Sequence, residues 1–346
     1  MDFETIAWSG DAYSGTLRLL DQTRLPQSRE ILQIRETEEF VHAIKKLAVR
    51  GAPAIGISAA YACVLAARQS EDPLQGLREA MPLLRASRPT AVNLFWALDR
   101  MERLLEEQGQ GETDLPELLL KEARAIHQED RRLCRRMAEH GAPLIRNARQ
   151  LLTHCNTGAL ATGGIGTALG VIRQAFEQGA DFEVYAGETR PLLQGARLTA
   201  WELQQLGIPF QILPDSAGPG LLLRGSIDAV LVGADRIAAN GDTANKVGTL
   251  PLALAAARAG KDFFVVAPST SFDLQLACGD EIPIEERNGA ELGLHLRPEV
   301  LPKGAKAASP AFDVTPAELI TAIICEHGVI EAPTTNSIKK LLASGR

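Results

Sequence analysis

Apolar residues in the first third of the chain recur mainly at helical spacing. Leu94, Leu98, Met101 and Leu105 follow one another at steps of three and four, which lines one face of a helix over 92–107. The same pattern predicts helices over 38–48, 53–68, 73–85 and 116–139. Residues 51–67 carry no charge and lie between Arg50 and Arg68. The run contains Pro53, two glycines and a serine, so it reads as a helix buried in protein rather than a membrane span. Short alternating stretches at 17–20 and 30–34, on either side of Leu25-Pro26-Gln27, read as strands. Gly109-Gln110-Gly111-Glu112-Thr113 reads as a loop. His140-Gly141-Ala142-Pro143 joins a helix-ending Gly to a Pro and marks the expected boundary between a domain over 1–140 and one over 141–346.

From about residue 148 the pattern changes. Residues 151–154, 183–186, 210–213, 229–232 and 263–267 are short Val/Ile/Leu/Phe runs, as in strands buried on both faces. Between them, Ala168, Leu169, Ile172, Ala175 and Phe176 make one helix face. Leu203 and Leu206 belong to a second, and Leu250, Leu254 and Ala257 to a third. This alternation predicts an α/β protein: a Rossmann-like doubly wound parallel sheet domain, preceded by a smaller, mostly helical N-terminal domain with a small β-sheet. Thr315-Pro316-Ala317-Glu318 reads as a capping box with Pro at the first helical position, which predicts a further helix. No internal repeat or low-complexity tract interrupts the pattern.

Composition narrows the partners. The 346 residues are 45% hydrophobic and 23% charged, enough apolar material for a sizeable core. Net charge is −7 and no basic block stands out, which argues against a nucleic-acid or anionic-membrane surface. Cys63, Cys134, Cys155, Cys278 and Cys325 are odd in number and scattered, with no CxxC pair, so neither a disulfide framework nor a zinc site is expected. Free thiols and the acidic start MDFETIAWSG, which lacks an apolar leader, lead us to expect a cytoplasmic protein.

In a doubly wound sheet, ligands bind beyond the carboxyl ends of the strands. The segments there are Cys155-Asn156-Thr157-Gly158, Gly187-Glu188-Thr189-Arg190, Pro214-Asp215-Ser216, Gly233-Ala234-Asp235-Arg236 and Pro268-Ser269-Thr270. Cys155 is open to two readings, a small buried hydrophobe or a thiol exposed to a crevice for acid/base or nucleophilic work. Asp235 is either a cap for a following helix or, in its apolar flanks, a general acid. His154 beside Cys155 points to the opposite face of a strand, so it reads as structural. Gly164-Ile165-Gly166 stands too far from its strand, with Leu169 in place of the third Gly, for a dinucleotide fingerprint; it closes a turn or holds an anion at a helix start. No P-loop or HExxH occurs, and Asn240-Gly241-Asp242 lacks the spacing of a calcium loop. Arg50-Gly51-Ala52-Pro53, Arg88-Pro89-Thr90-Ala91-Val92-Asn93 and Asn245-Lys246 each read as solvated surface charge or as an anion site. Taken together, beside Gly and Pro turns, they point towards a phosphate.

These segments also carry a resemblance. RGAPAIGISAAY at 50–61, SRPTAVNL at 87–94, THCNTGALATGGIGTALGVI at 153–172 and VYAGETRPLLQGARLTAWEL at 184–203 resemble the methylthioribose-1-phosphate isomerases of methionine salvage. So do VLVGADRIAANGDTANKVGT at 230–249, VVAPSTSFD at 265–273, IPIEER at 282–287 and PAFDVTPAELITAIICEHGVI at 310–330. The resemblance implies conversion of the cyclic aldose 5-methylthioribose 1-phosphate into the open ketose 5-methylthioribulose 1-phosphate, with no metal or other cofactor. It places the catalytic thiol on Cys155 and the proton-donating carboxyl on Asp235. Substrate binding falls on Arg50, Gly51, Ala52, Arg88, Gln194, Asn245 and Lys246. It further implies a homodimer with a Rossmann-like second domain. Three other readings compete. A ribose-1,5-bisphosphate isomerase needs a second basic subsite where the methylthio group would lie. A regulatory subunit of the translation-initiation nucleotide-exchange factor has no need of both Cys155 and Asp235. A dehydrogenase rests on the imperfect Gly cluster alone.

Overall fold

In a computed structural model, the described residues are 3–88, 92–108, 114–294, 302 and 304–344. They form two compact units, one of residues 1–132 with 159–166, the other of residues 133–158 with 167–346.

The first unit opens with an antiparallel sheet of β1 (Ile6–Ser9), β2 (Thr16–Leu20) and β3 (Ile31–Ile34), paired in that order. Five helices follow: α1 (Thr37–Lys45), α2 (Ala52–Arg68), α3 (Pro73–Ala86), α4 (Val92–Gln108) and α5 (Leu115–Gly141), the last running on into the second unit. Helix α2 is the uncharged run, and every residue from Ala54 to Ala67 is buried, so it is the core helix of this unit. Its small residues admit close neighbours: a Cβ on Gly56 would stand 2.6 Å from the Asn93 carbonyl. On α4, Leu94, Leu98 and Met101 are fully buried and Leu105 packs against the same core, as the spacing predicts. Pro89, Thr90, Ala91 and the expected loop at 109–113 lie outside the described residues.

In the second unit β4 (Gln150–Thr153), α6 (Ala168–Glu177), β5 (Glu183–Gly187), α7 (Ala200–Leu206), β6 (Phe210–Leu213), α8 (Ala217–Leu223) and β7 (Ala229–Val232) alternate. A hairpin of β8 (Arg236–Ala238) and β9 (Thr243–Lys246) leads to α9 (Thr249–Ala259) and β10 (Asp262–Val266). Then come β11 (Phe272–Asp273), β12 (Phe312–Thr315), β13 (Ala322–Cys325), β14 (Gly328–Glu331) and α10 (Thr335–Ser344). The main sheet has the order β14-β13-β10-β7-β4-β5-β6, parallel throughout except for β14. A second sheet has the order β11-β8-β9-β12. The chain moves outward from β4 to β6, then crosses back and moves outward again from β7 to β13. The direction reverses between β4 and β7, which makes that pair the topological switch point. This is the doubly wound α/β fold, preceded by a mostly helical unit with a small sheet, that the pattern predicts.

Two local expectations fail. The buried face of α9 is Leu252, Ala253, Ala255 and Ala256, while Leu254 is 52% exposed and Ala257 is also outside. The helix is apolar on all sides before Arg258, so apolar spacing cannot set its phase, and the small alanines face inward. Thr315-Pro316-Ala317-Glu318 starts no α-helix: Thr315 ends β12, and Ala317–Leu319 is a single 3-10 turn. The Asp242 carboxylate, not Thr315, accepts the Ala317 N–H, at 2.8 Å. The β-branched run that follows pairs with β10 as β13, where burial outweighs the capping signal.

Candidate active site

Cys155 leaves β4 in the left-handed conformation, at φ +60. An L residue adopts this conformation at a cost of about 1–2 kcal/mol unless its surroundings hold it there. Two threonine hydroxyls do so. The Cys155 N–H donates to Thr189 Oγ1 at 2.9 Å, and Thr199 Oγ1 donates to the Cys155 carbonyl at 2.5 Å. Thr189 is itself left-handed, at φ +67, and its N–H and that of Arg190 donate to the two oxygens of Asp215 at 2.8 and 2.7 Å. Asn156 Nδ2 donates to the fully buried Glu202 at 2.7 Å. Thr157 closes the first turn of α6, its Oγ1 accepting the Leu169 N–H at 3.1 Å. Cys155 is buried at the mouth of this loop. Burial pushes the Cys63 thiol up to about 12 and that of Cys325 up to about 11, so those two are neutral core residues.

His154 is almost fully buried and has a structural role. Its Nε2 lies 2.9 Å from the Val247 carbonyl, which can only accept, so Nε2 carries the proton. Nδ1 faces Asp215 Oδ1 at 3.8 Å. Burial holds its pKa below the ordinary histidine value.

Asp235 follows β7, the strand paired in parallel with β4. The two loops meet: a Cβ on Gly233 would stand 3.0 Å from Thr157 Cγ2. The next element is β8, a strand, so the helix-cap reading of Asp235 falls away. The Asp235 N–H donates to the Ala244 carbonyl at 2.9 Å, which docks the loop beside Asn245 and Lys246 on β9. Asn245 is buried and donates to Thr249 Oγ1 at 3.0 Å. Lys246 Nζ donates to the Ala311 carbonyl at 2.8 Å and lies 4.7 Å from the centre of the Phe312 ring. Asp313, opposite Asn245 in the ladder, accepts the Gly248 and Leu250 N–H groups at 2.7 and 3.1 Å; burial raises its pKa. Gln194 ends the loop after β5, is 6% exposed, and its buried Oε1 has no hydrogen-bond partner among the described residues. A π-helical turn over Gly195–Thr199 begins next to it, a feature common at functional sites.

Cys155, Asp235, Gln194, Asn245 and Lys246 thus all stand in the second unit, the first three in segments that follow strands of the main sheet and the last two on β9. Arg50, Gly51, Ala52 and Arg88 belong to the first. There Gly51 has φ +90 and a Cβ on it would lie 2.6 Å from the Cα, Cβ and carbonyl oxygen of Ala161, so only glycine fits. Arg50 precedes α2 and Arg88 follows α3, both half-buried. Thr199, Glu202 and Asp313 escape a reading of strand ends because they lie within a helical turn, a helix and a late strand. Among the described residues no cluster of His, Cys, Asp and Glu is arranged to hold a metal ion, and no helix is long and apolar enough to cross a membrane.

A doubly wound sheet whose Cys155 and Asp235 loops meet at its switch point defines a Rossmann-like α/β protein, and that switch point is where such sheets bind ligands. Residues 48–332 match the Initiation factor 2 subunit family. A methylthioribose-1-phosphate isomerase from Pelotomaculum thermopropionicum is 53% identical over 97% of this chain and 93% of that protein. The crystal structure of 5-methylthioribose 1-phosphate isomerase from Pyrococcus horikoshii OT3 superposes with a TM-score of 0.92 at 38% identity, covering 99% of this chain and 97% of that one. A structure described as translation initiation factor eIF-2B subunit delta from A. fulgidus gives 0.87 at 40% identity, covering 99% and 100%. The chain belongs to the Initiation factor 2 subunit family and is an isomerase.

Proposed function

We propose that the chain is an aldose–ketose isomerase that converts 5-methylthioribose 1-phosphate into 5-methylthioribulose 1-phosphate. Near full-length identity of 53% to a relative named for that substrate carries the reading. The meeting of the Cys155 and Asp235 loops at the switch point supports it. In this reading Arg50, Gly51, Ala52, Arg88, Gln194, Asn245 and Lys246 bind the phosphorylated sugar. The phosphate on the anomeric oxygen prevents opening to a free aldehyde, so the ring must be opened by acid. Asp235 gives its proton to the ring oxygen as the bond from C1 breaks. Cys155, as thiolate, takes the proton from C2, leaving an enol across C1 and C2. The thiol, its proton exchangeable with water, then delivers a proton to C1, and the C2 hydroxyl proton passes to the Asp235 carboxylate, which restores both groups.

Incubating the purified protein with 5-methylthioribose 1-phosphate and following the ketose tests the substrate; absence of product rejects it. Cys155→Ser and Asp235→Asn are expected to fold normally and to lose about 100-fold or more in kcat; near-normal turnover refutes the role of that residue. Substrate deuterated at C2 should lose label to water during turnover. Complete retention at C1 would instead mean a hydride shift. For this reading we also propose a homodimer, supported by Leu223 and Leu254, 58% and 52% exposed on the neighbouring helices α8 and α9. Sedimentation should give twice the chain mass; a monomeric mass counts against it.

A further inference from the structure

The backbone at Cys155 breaks the alternation of β4. Continued as a strand, the chain would put residue 155 on the same face as Thr153, which is fully buried. The turn at φ +60 redirects the side chain instead. Both backbone groups of this one residue are tied by hydroxyls from the segment between β5 and α7: Thr189 accepts from its N–H and Thr199 donates to its carbonyl. Neither hydroxyl is there by default. Thr189 Oγ1 also donates to the Gly187 carbonyl at 3.0 Å, and its own left-handed backbone is pinned by Asp215. Thr199 reaches Cys155 from the π-helical turn, which packs so tightly on the end of β5 that a Cβ on Gly195 would fall 1.7 Å from the Gly187 carbonyl oxygen and 2.9 Å from Thr189 Oγ1. Asn156 Nδ2, 3.3 Å from Thr199 Oγ1 and 2.7 Å from Glu202, ties the same hydroxyl to a buried carboxylate.

We infer that Thr189 and Thr199 are positioning residues that clamp Cys155 in its left-handed turn and so aim the thiol away from the sheet; the inference rests on the reading of Cys155 as the reacting thiol. Both contacts of the clamp are made by hydroxyls, so isosteric removal of the oxygen should release it while the shape of the side chain is kept. A freed Cys155 relaxes towards the extended conformation and turns in beside Thr153.

The test compares Thr189→Val and Thr199→Val with Thr189→Ser and Thr199→Ser in the full-length protein. Each valine variant should lower kcat by about 10- to 100-fold, the scale of an ångström-sized misplacement, with KM changed by less than about threefold. Each serine variant should recover kcat to within about threefold of the parent. Alkylation of Cys155 by iodoacetamide, followed by peptide mass mapping, should slow at least about fivefold in the valine variants and not in the serine variants. Circular dichroism identifies any variant that fails to fold, and either threonine alone suffices for the comparison. Folded valine variants with parental kcat and parental alkylation overturn the inference, as do serine variants as impaired as the valines. Slowed alkylation in a protein whose Cys155→Ser form still turns over would uphold the clamp and reject the thiol's catalytic role, so the two failures are distinguishable.

Discussion

Gln194 separates a binding role from a structural one at the level of a single side chain. Its Oε1 is buried without a partner among the described residues, which costs about 1–3 kcal/mol if nothing else meets it. A residue kept for packing would do better without that oxygen. Gln194→Leu is therefore expected to raise the thermal midpoint or leave it unchanged, while raising KM for the sugar phosphate by about 10-fold or more. A variant that is less stable with KM unaltered would show that the amide serves the fold. The same reasoning divides the cysteines. Cys63 and Cys325 have their thiols pushed to about 12 and 11 by burial, whereas Cys155 stands in a strained turn at a strand end. Of the five, position relative to a strand sets Cys155 apart in the sequence, but its left-handed backbone is not legible there, because the hydroxyls that hold it come from residues 34 and 44 positions away.

Among the elements, α2 shows how a single glycine at a helix start can be required by packing. Gly51 opens the helix at φ +90 and lies against Ala161, so Gly51→Ala meets both a backbone penalty and a collision. The expected cost is about 2–4 kcal/mol by thermal or chemical denaturation. Gly179 is the control: its φ is +89 but nothing lies within 4 Å of a Cβ there, so Gly179→Ala should cost only about 1 kcal/mol. Equal losses at the two positions would mean that Ala161 yields, and that the glycine in Arg50-Gly51-Ala52 is not required by packing. Elements with a polar face or with runs buried on both sides were legible from the chain, as α4 and the strands β4, β7 and β10 show. Those whose register depends on partners remote in sequence were not. Helix α9 is apolar all round, and the β8–β9 hairpin pairs with β12, more than sixty residues further on, so nothing local announces the small sheet that carries Asn245 and Lys246.

For the molecule as a whole, the stretch after the thiol loop matters most. Residues 159–166 follow Cys155 closely in the chain yet belong to the first unit. There Thr5 Oγ1 donates to the Ala159 carbonyl at 2.7 Å, Gln22 Nε2 to the Leu160 carbonyl at 2.7 Å, and Asp130 accepts the Gly163 N–H at 2.7 Å. The Gly163 carbonyl faces Arg131 Nε at 3.1 Å and His127 Nε2 at 3.2 Å. His127 is buried beneath Tyr61, whose hydroxyl lies 3.2 Å from Nδ1, and burial lowers its pKa to about 4. The carbonyl requires a proton on Nε2, so Nδ1 accepts from the tyrosine and the ring is neutral. As the pH falls from 6.5 to 4, an unfolded chain takes up a proton that the folded histidine refuses, so stability falls with pH across that window. Between pH 7 and pH 5 the loss from this group is about 2 kcal/mol. His127→Gln keeps hydrogen-bonding capacity and removes the titration. Its denaturation midpoint, read by tryptophan fluorescence, should therefore fall less on acidification than that of the parent, by an amount corresponding to about 2 kcal/mol. His154 is shifted in the same direction and remains in both proteins, so the difference between them isolates His127. Parallel pH dependences would mean that His127 is accessible to protons in the folded state and that the grip on Gly163 does not depend on its neutral form.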